Sequence, residues 1–313
     1  GFVGADSPLY LTIGKELADW LRLDTRLMFE VAARATPSLG SDIGRTTSST
    51  LTPSVDLMYM TALLSHGYEL KVGKIRPLFS EDYAKDTWWH ELYNMPLKTC
   101  TLQSWHEFGA ERYKNIDYDN WSLPVYFYLL NGSTAAADNN ENKAILLHLA
   151  PEFFQTKLRL LGSFGYGKWD DKSKDAMLRT AYGFDWKYKK FNLLGEYIYS
   201  TYNNVVLVSS PTAASPRADG KNEGYWIKAI YTFNPKWRAL IQQSHTNLYQ
   251  AALTTTQKGM LSDKWDVTTL AVDYSIMPSS TIIGQYDKGN GRRSDGSEHL
   301  TYDRFTLGWR TTF

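Results

Sequence analysis

The feature that most constrains this chain is a strict alternation of apolar and polar side chains at its C-terminal end. One face of this segment would carry Phe305, Leu307, Trp309, Thr311 and Phe313. The other face would carry Arg304, Thr306, Gly308, Arg310 and Thr312. Alternation over about ten residues has the period of a β-strand and the length of a strand that crosses a membrane. The pattern predicts either such a strand or an amphipathic strand of a soluble β-sandwich.

The same alternation recurs along the chain, and its recurrence favours the membrane. It is clear in the segments 21–34, 178–188, 191–200 and 225–233. In each segment aromatic and aliphatic side chains occupy one face, and charged residues occur on the other. A soluble sandwich would bury the aromatic face against a second sheet. A barrel turns that face toward lipid and the charged face toward a watery lumen.

Connections between the predicted strands are alternately short and long. Short turns are predicted at Asp19–Trp20, Ser65–Gly67, Gln155–Thr156, Lys189–Lys190, Asn234–Lys236 and Met277–Ser279. Long polar loops are predicted at 35–49, 80–100, 132–142, 203–221, 250–262 and 288–299. Short turns at one end and long loops at the other are typical of outer-membrane barrels. The sequence therefore predicts an all-β, transmembrane, antiparallel up-and-down β-barrel, with residues 1–313 in a single domain.

About fifteen strands can be read from the pattern. Their predicted ranges are 8–20, 21–34, 50–65, 68–79, 101–115, 121–132, 143–155, 156–169, 175–189, 190–202, 222–234, 236–249, 264–277, 279–289 and 300–313. Bacterial single-chain barrels usually have an even number of strands. We therefore expect about sixteen, with one strand preceding Gly1; a miscount is the alternative.

Composition excludes several other classes of protein. The formal net charge of +1 gives no reason to expect a nucleic-acid partner. A single cysteine, Cys100, excludes an intrachain disulfide and a zinc ribbon. No apolar run reaches about 18 residues, so no transmembrane helix is predicted. The first residues lack the basic start and apolar core of a signal peptide. The chain contains no Cys-x-x-Cys-His haem-attachment motif, and we predict no cofactor.

The residues that an enzyme of this class would use do not combine into a catalytic site. Ser244 and His245 are adjacent on a predicted strand, so they would point to opposite faces and could not form a nucleophile–base pair. Asp263 or Asp266 could lie near His245, but no catalytic motif includes them. The neighbouring His and Glu residues at 90–91 and 106–107 lack metal-ligand spacing. We predict that the chain is not an enzyme and has no metal site.

Several motifs, in their order along the chain, resemble porins of the phosphate-selective porin O and P type. They are the early hairpin within Leu11–Val31 around Asp19–Trp20, the segment Tyr68–Ser80 with its Gly-Lys-Ile-Arg-Pro-Leu-Phe run, the strand Leu123–Gly132 ending in Asn-Gly, and the pair of strands around Tyr182–Tyr188 and Leu193–Tyr197. The resemblance implies a sixteen-stranded, usually trimeric diffusion pore. The chain departs from that family in its lysine-rich ladder, so the resemblance does not imply a phosphate preference.

The charged face of the strands predicts the pore lining. Its residues are Arg22, Arg26, Arg34, Lys71, Arg159, Arg179, Lys187, Lys228, Arg304 and Arg310, together with the acidic residues Asp24, Glu30, Asp185, Glu196 and Asp273. Low-dielectric walls focus such a basic excess toward anions. Pairing of these charges across neighbouring strands is the favoured expectation, and it leaves only a weak anion preference.

The loop 80–100 differs from the other long loops because it carries bulky aromatic and acidic residues. We expect it either to fold into the lumen or to pack against the rim or a neighbouring subunit. In the first case Trp88, Trp89, His90 and Tyr93 would form the constriction. Arg76, at the end of the preceding strand, could anchor the loop by pairing with Glu81 or Asp82.

These patterns predict a porin of the bacterial outer membrane. It would give passive diffusion to small hydrophilic solutes, assemble as a homotrimer, and contact outer-membrane lipid and lipopolysaccharide. The alternative is a structural barrel that sheathes or docks a partner such as a cytochrome or a surface protein. That partner would have to bring its own cofactor, and the barrel would need a wide lumen.

Overall fold

The computed structural model describes residues 9–33, 49–80, 107–131, 142–168, 174–206, 217–250, 263–293 and 299–311. Sixteen strands account for nearly all of them. They are β1 (Leu9–Ala18), β2 (Leu21–Ala33), β3 (Ser49–Leu63), β4 (Tyr68–Ile75), β5 (Glu107–Asp117), β6 (Trp121–Leu130), β7 (Ala144–Leu149), β8 (Glu152–Phe153), β9 (Leu158–Lys168), β10 (Ala176–Tyr188), β11 (Phe191–Val206), β12 (Arg217–Asn234), β13 (Trp237–Gln250), β14 (Asp263–Met277), β15 (Ser280–Arg293) and β16 (His299–Thr311). Among these residues, no helix has the length and hydropathy needed to cross a membrane.

All sixteen strands belong to one antiparallel sheet in which sequence neighbours pair from β1 to β16. The short β8 lies off this path, because it pairs with the same two strands, β6 and β9, as β7 does. The residues between β7 and β8 are Ala150 and Pro151, and proline cannot donate to the ladder. Together β7 and β8 therefore form one interrupted crossing of the barrel wall, so the sheet has fifteen crossings. The predicted all-β up-and-down barrel is confirmed, whereas the strand expected before Gly1 stays a prediction.

Short turns join the strands at one end of the sheet. They lie at Asp19–Trp20, Ser65–Gly67, Lys189–Lys190, Pro235–Lys236 and Pro278–Ser279, with slightly longer connections before β6 and β9. Three non-glycine residues, His66, Lys157 and Lys189, adopt the left-handed backbone at these turns, with φ of 61°, 51° and 52°. At the other end β11 continues to Val206, β12 begins at Arg217 and β15 continues to Arg293. These strands reach further than the polar composition of the predicted loops indicated, because backbone pairing does not require apolar side chains.

The two faces of the sheet differ as the alternation predicts. Outward residues are apolar and exposed, for example Tyr182, Tyr225, Ile227, Tyr231, Ile241 and Leu270. Inward residues are mostly buried, and they include the charged side chains. The inner face also carries many apolar side chains beside these charged ones. A buried apolar cluster follows it, formed by Ile75, Phe79, Tyr128, Leu130, Ala144, Leu146, Met177, Ala181, Leu194, Ile198, Trp226, Ile230, Leu240 and Ala271.

The chain leaves the sheet after Ile75, four residues earlier than the predicted strand end, because Pro77 cannot donate to the ladder. Residues 76–80, here called the stem, lie against the inner face instead. The backbone N–H of Leu78 donates to Tyr128 Oη at 3.1 Å, and Phe79 packs in the apolar cluster. The stem therefore enters the lumen at the point where the loop 80–100 begins.

Candidate functional site: the inner wall of the barrel

Ion pairs dominate the inner wall. Seven are found there in the part of the chain that the structure describes, two within a strand (Arg22–Asp24 and Lys187–Asp185) and five between neighbouring strands (Arg26–Asp56, Lys71–Glu111, Arg159–Asp185, Arg238–Asp273 and Arg304–Asp287). Most of these pairs link residues that face each other across two strands. The favoured expectation of cross-strand pairing agrees with this geometry.

A β-bulge creates one of these pairs. The register of β2 and β3 shifts so that Arg26 faces Leu57 and Leu27 faces Val55, which leaves Asp56 as the extra residue. The bulge turns Asp56 to the inner face, where its Oδ2 accepts from Arg26 Nε at 2.5 Å. Strict alternation would have placed Asp56 on the outer face, with Met58 and Met60. Sequence reasoning therefore missed this carboxylate.

In each of the seven pairs the cation is more exposed than the carboxylate. The side chains of Arg304 and Asp287 are 41% and 0% exposed, and those of Lys71 and Glu111 are 28% and 4% exposed. The same order holds for the pairs of Arg22, Arg26, Arg159, Lys187 and Arg238. Carboxylates therefore lie against the wall, while guanidinium and ammonium groups stand in front of them, toward the open lumen.

A polar recess lies on this wall near the short turns of β1–β4. Its volume is about 420 Å³, and Arg22, Asp24, Tyr59 and Lys71 are among its lining residues. Arg22 crosses the backbone of Gly14, since a Cβ at Gly14 would lie 2.7 Å from its Nη2 atom. Lys71 Nζ donates to Glu111 Oε1 at 2.7 Å on the neighbouring strand. The recess therefore brings together Arg22, Asp24 and Lys71, three charged residues that the sequence assigned to the inner face.

The remaining predicted lining residues have other surroundings. Arg179 is fully buried, with its guanidinium carbon 5.6 Å from the centroid of the Tyr202 ring. Lys228 Nζ lies 5.2 Å from the Trp226 ring, and the Trp226 Nε1 atom donates to Glu196 Oε2 at 3.2 Å. Arg34 lies outside the described residues, and only the backbones of Glu30 and Arg310 are described, that of Arg310 pairing with inward Thr281.

Neutral polar residues extend this network on β13–β15, and sequence reasoning missed them. The Asp287 carboxylate accepts from Thr269 Oγ1 at 2.7 Å and from Gln285 Nε2 at 2.8 Å. On the neighbouring strand Gln242 Nε2 donates to Ser244 Oγ at 2.9 Å. Thr, Gln and Ser residues do not by themselves indicate a pore lining. The period-two alternation of their strands nevertheless predicts that these side chains face inward.

The predicted constriction residues Trp88, Trp89, His90 and Tyr93 lie outside the described residues, as do Glu81 and Asp82. The described stem that leads to them is buried on the inner face, with Phe79 2% and Ser80 1% exposed. The path of the loop beyond Ser80 stays a prediction.

The histidine and serine predicted to point apart do so. Ser244 is buried on the inner face, whereas His245 lies on the outer face, where its Nδ1 atom is 2.8 Å from Asp266 Oδ1. The His245 ring also stacks on Tyr225. Among the described residues, no group of three or more His, Cys, Asp or Glu side chains could hold a metal ion.

Sequence comparisons identify few relatives. No family model matches the chain. An uncharacterized protein of Aquifex aeolicus (strain VF5) is 26% identical over 244 residues, which are 65% of this chain. The chain spans about half the length of that curated relative.

Solved structures share the fold. An OmpT of Vibrio cholerae, described as an outer membrane protein in trimer form, superimposes with a TM-score of 0.60 over 98% of this chain and 91% of its own, at 10% identity. An anion-selective porin from Comamonas acidovorans gives 0.60 over 98% and 90%, at 12% identity. OmpF of Salmonella typhi, in complex with daunomycin, gives 0.60 over 96% and 89%, at 10% identity. The chain thus has the fold of bacterial outer-membrane porins.

Proposed function

We propose that this barrel is an outer-membrane porin that lets small hydrophilic solutes diffuse passively, with a weak preference for anions. The observation that carries the proposal is the layering of charge on the inner wall. A solute in the lumen meets the exposed cations of the seven ion pairs before it meets their buried carboxylates. The pairing limits the strength of the field, and the layering sets its sign.

The preference is expected to be weak because cations and carboxylates occur in similar numbers on the described wall. Opposite charges a few ångströms apart leave mainly a dipolar field, which falls off more steeply with distance than the field of an isolated charge. A large solute-specific field would require cations that lack such partners. The resemblance to phosphate-selective porins is therefore proposed only for the scaffold and the early motifs, and general anions are proposed as the favoured ions.

The stem supports a narrowed lumen. Its burial against Tyr128 and the apolar cluster supports a loop that enters the barrel rather than one that stands above the rim. We propose that Trp88, Trp89, His90 and Tyr93 line the narrowest part of the pore. A homotrimer is proposed from the resemblance to trimeric porins and from the OmpT trimer form described above.

Planar-bilayer recording tests the function directly. The folded protein should give ohmic conductance steps, and a KCl gradient should give a reversal potential displaced toward the chloride equilibrium potential. A bilayer that shows no steps, or a reversal potential displaced toward potassium, would contradict the porin or its anion preference respectively. Co-purification of a haem protein within the barrel would instead favour the sheathing alternative.

A further inference from the structure

Two cations interrupt the apolar outer surface of β4–β6. The neighbouring outward residues Val72, Phe108 and Leu129 are apolar and exposed, as expected for a surface in lipid. Arg112 and Lys114 on β5 share the parity of Phe108 and therefore also point outward. Charges on the lipid face of a barrel are destabilising by an amount that grows with their depth in the bilayer. Their presence on this surface therefore calls for a compensating group.

Both cations converge on one aromatic ring. The guanidinium carbon of Arg112 and the Nζ atom of Lys114 each lie 4.3 Å from the centroid of the Tyr68 ring. Tyr68 pairs with Lys114. Arg112 pairs with Leu70, two residues farther along the strand from the short turn. The guanidinium of Arg112 is therefore bent toward the short-turn end, which faces the periplasm in outer-membrane barrels. Tyrosine at this level is typical of a membrane interface.

These cations differ from those of the inner wall. Each of the seven inner pairs has a carboxylate within 4.0 Å of the cation. Among the residues that the structure describes, no carboxylate pairs with Arg112 or Lys114, whose described contacts are with Tyr68. Two adjacent positive charges at an interface, both beside one aromatic ring, match the chemistry that binds a phosphodiester.

An apolar groove continues from the cations toward the long-loop end. Its volume is about 340 Å³; Val72, Phe108, Ala110 and Leu129 are among its lining residues, and Lys143 is also among them. Ala110 lies on the same face of β5 as Arg112, two residues farther from the short turn. A lipid of the periplasmic leaflet has its headgroup at the short-turn end and its chains directed toward the bilayer centre. The groove lies where such a chain would run.

We propose that the outer face of β4–β6 binds one anionic phospholipid of the periplasmic leaflet. Its phosphate would lie between Arg112 and Lys114, and an acyl chain would occupy the groove. The inference rests on the barrel being in the outer membrane and does not depend on its lumen being open to solutes. Failure of the porin proposal in bilayer recordings therefore leaves this site standing, and the reverse also holds.

Native mass spectrometry of the folded barrel tests the site. The protein would be released from detergent containing phosphatidylglycerol or, separately, phosphatidylcholine, and bound lipids would be counted. We expect a retained phosphatidylglycerol whose occupancy falls about tenfold in the Arg112→Gln/Lys114→Gln variant. Ala110→Phe, which fills the groove without removing charge, should also lower it. The control Lys264→Gln/Lys288→Gln removes two exposed outward cations at the long-loop end and should retain the lipid.

Four outcomes would overturn the proposal. They are equal retention by wild type and the Arg112→Gln/Lys114→Gln variant, equal loss in the control, equal retention of phosphatidylcholine and phosphatidylglycerol, and loss of oligomers without loss of lipid in the Arg112→Gln/Lys114→Gln variant. The last outcome would assign this face to contact with a second copy of the chain. Heat-modifiable migration in gels establishes that each variant is folded before its lipids are counted.

Discussion

Arg304 on β16 donates twice to the same oxygen of Asp287 on β15, from Nη2 at 2.8 Å and from Nε at 3.2 Å. The carboxylate is fully buried beneath Thr269 and Gln285, whereas the arginine side chain is 41% exposed. The positive partner of this pair is therefore the one that a passing solute contacts. The same arrangement in the other inner pairs makes the charge layering of the wall open to direct tests.

Removal of the buried acid should strengthen the anion preference. In Asp287→Asn the guanidinium of Arg304 keeps its exposed position but loses the opposing charge. The reversal potential in a KCl gradient should move further toward chloride. The free energy of unfolding should fall by about 1–3 kcal/mol, as is usual when a buried hydrogen-bonding group loses a partner. An unchanged or potassium-directed reversal potential would show that Arg304 does not face the permeating ions.

Removal of the exposed cations should have the opposite effect. Arg304→Gln/Arg310→Gln leaves Asp287 on the wall, and Arg310 is the other cation of β16 that the alternation predicts to face inward. The reversal potential should move toward potassium. The outward substitution Lys264→Gln is the matched control, and it should leave the potential unchanged. A potential that stays put in the double variant contradicts the inward assignment of β16.

Salt concentration provides a test that needs no variant. The Debye length is about 30 Å at 0.01 M salt and about 3 Å at 1 M salt. If exposed cations set the selectivity, the ratio of anion to cation permeability should approach unity as the salt concentration rises at a fixed gradient ratio. A ratio that is independent of salt would indicate selection by pore size instead.

The stem should become less firmly held when its hydrogen bond is removed. Tyr128→Phe deletes the hydroxyl that accepts from the Leu78 N–H while keeping the ring in the apolar cluster. We expect a loss of about 1 kcal/mol in unfolding free energy and more frequent fluctuations of the open-channel current. Tyr126→Phe, on the same inner row, is the control. Identical current noise in both variants would argue that the stem does not shape the pore.

Glycine at position 14 should be needed for the position of Arg22. An added Cβ would lie 2.7 Å from Arg22 Nη2 and 2.9 Å from Asp24 Oδ1. Because Nη2 is the far end of a flexible side chain, Gly14→Ala should change stability by less than about 1 kcal/mol but displace the guanidinium within the recess. Single-channel conductance should change accordingly. Gly162→Ala is the control, since a Cβ there meets no atom within 4 Å.

Much of the fold could be predicted from the sequence because its signal is local. Each alternating segment reports its own faces, and each short turn, such as Lys189–Lys190, separates two segments whose patterns are already clear. The fifteen strand crossings were predicted at nearly their observed ranges. The errors fall at strand ends, where Pro77 stops β4 early and where β11, β12 and β15 continue into polar sequence.

The inner wall was predicted less completely. Most of its cations were recognised from parity, but Arg238 was missed, and Asp56, Glu111 and Asp287 were not identified as partners. The β-bulge at Asp56 interrupts the alternation, so the alternation itself does not reveal it. Cross-strand partners depend on how neighbouring strands are aligned, and the local sequence does not encode that register. Arg112 and Lys114 were also passed over, although their parity with Phe108 already placed them outward.

The sequence by itself therefore determined that this chain forms a β-barrel and which residues face lipid and lumen, because period-two alternation fixes the side of a strand on which each side chain lies. Only the tertiary structure decided which charges meet, which member of each pair is exposed, and where the stem lies. Those relations depend on strand register, on the bulge at Asp56 and on packing across the lumen, and all of these join residues that are distant in the chain.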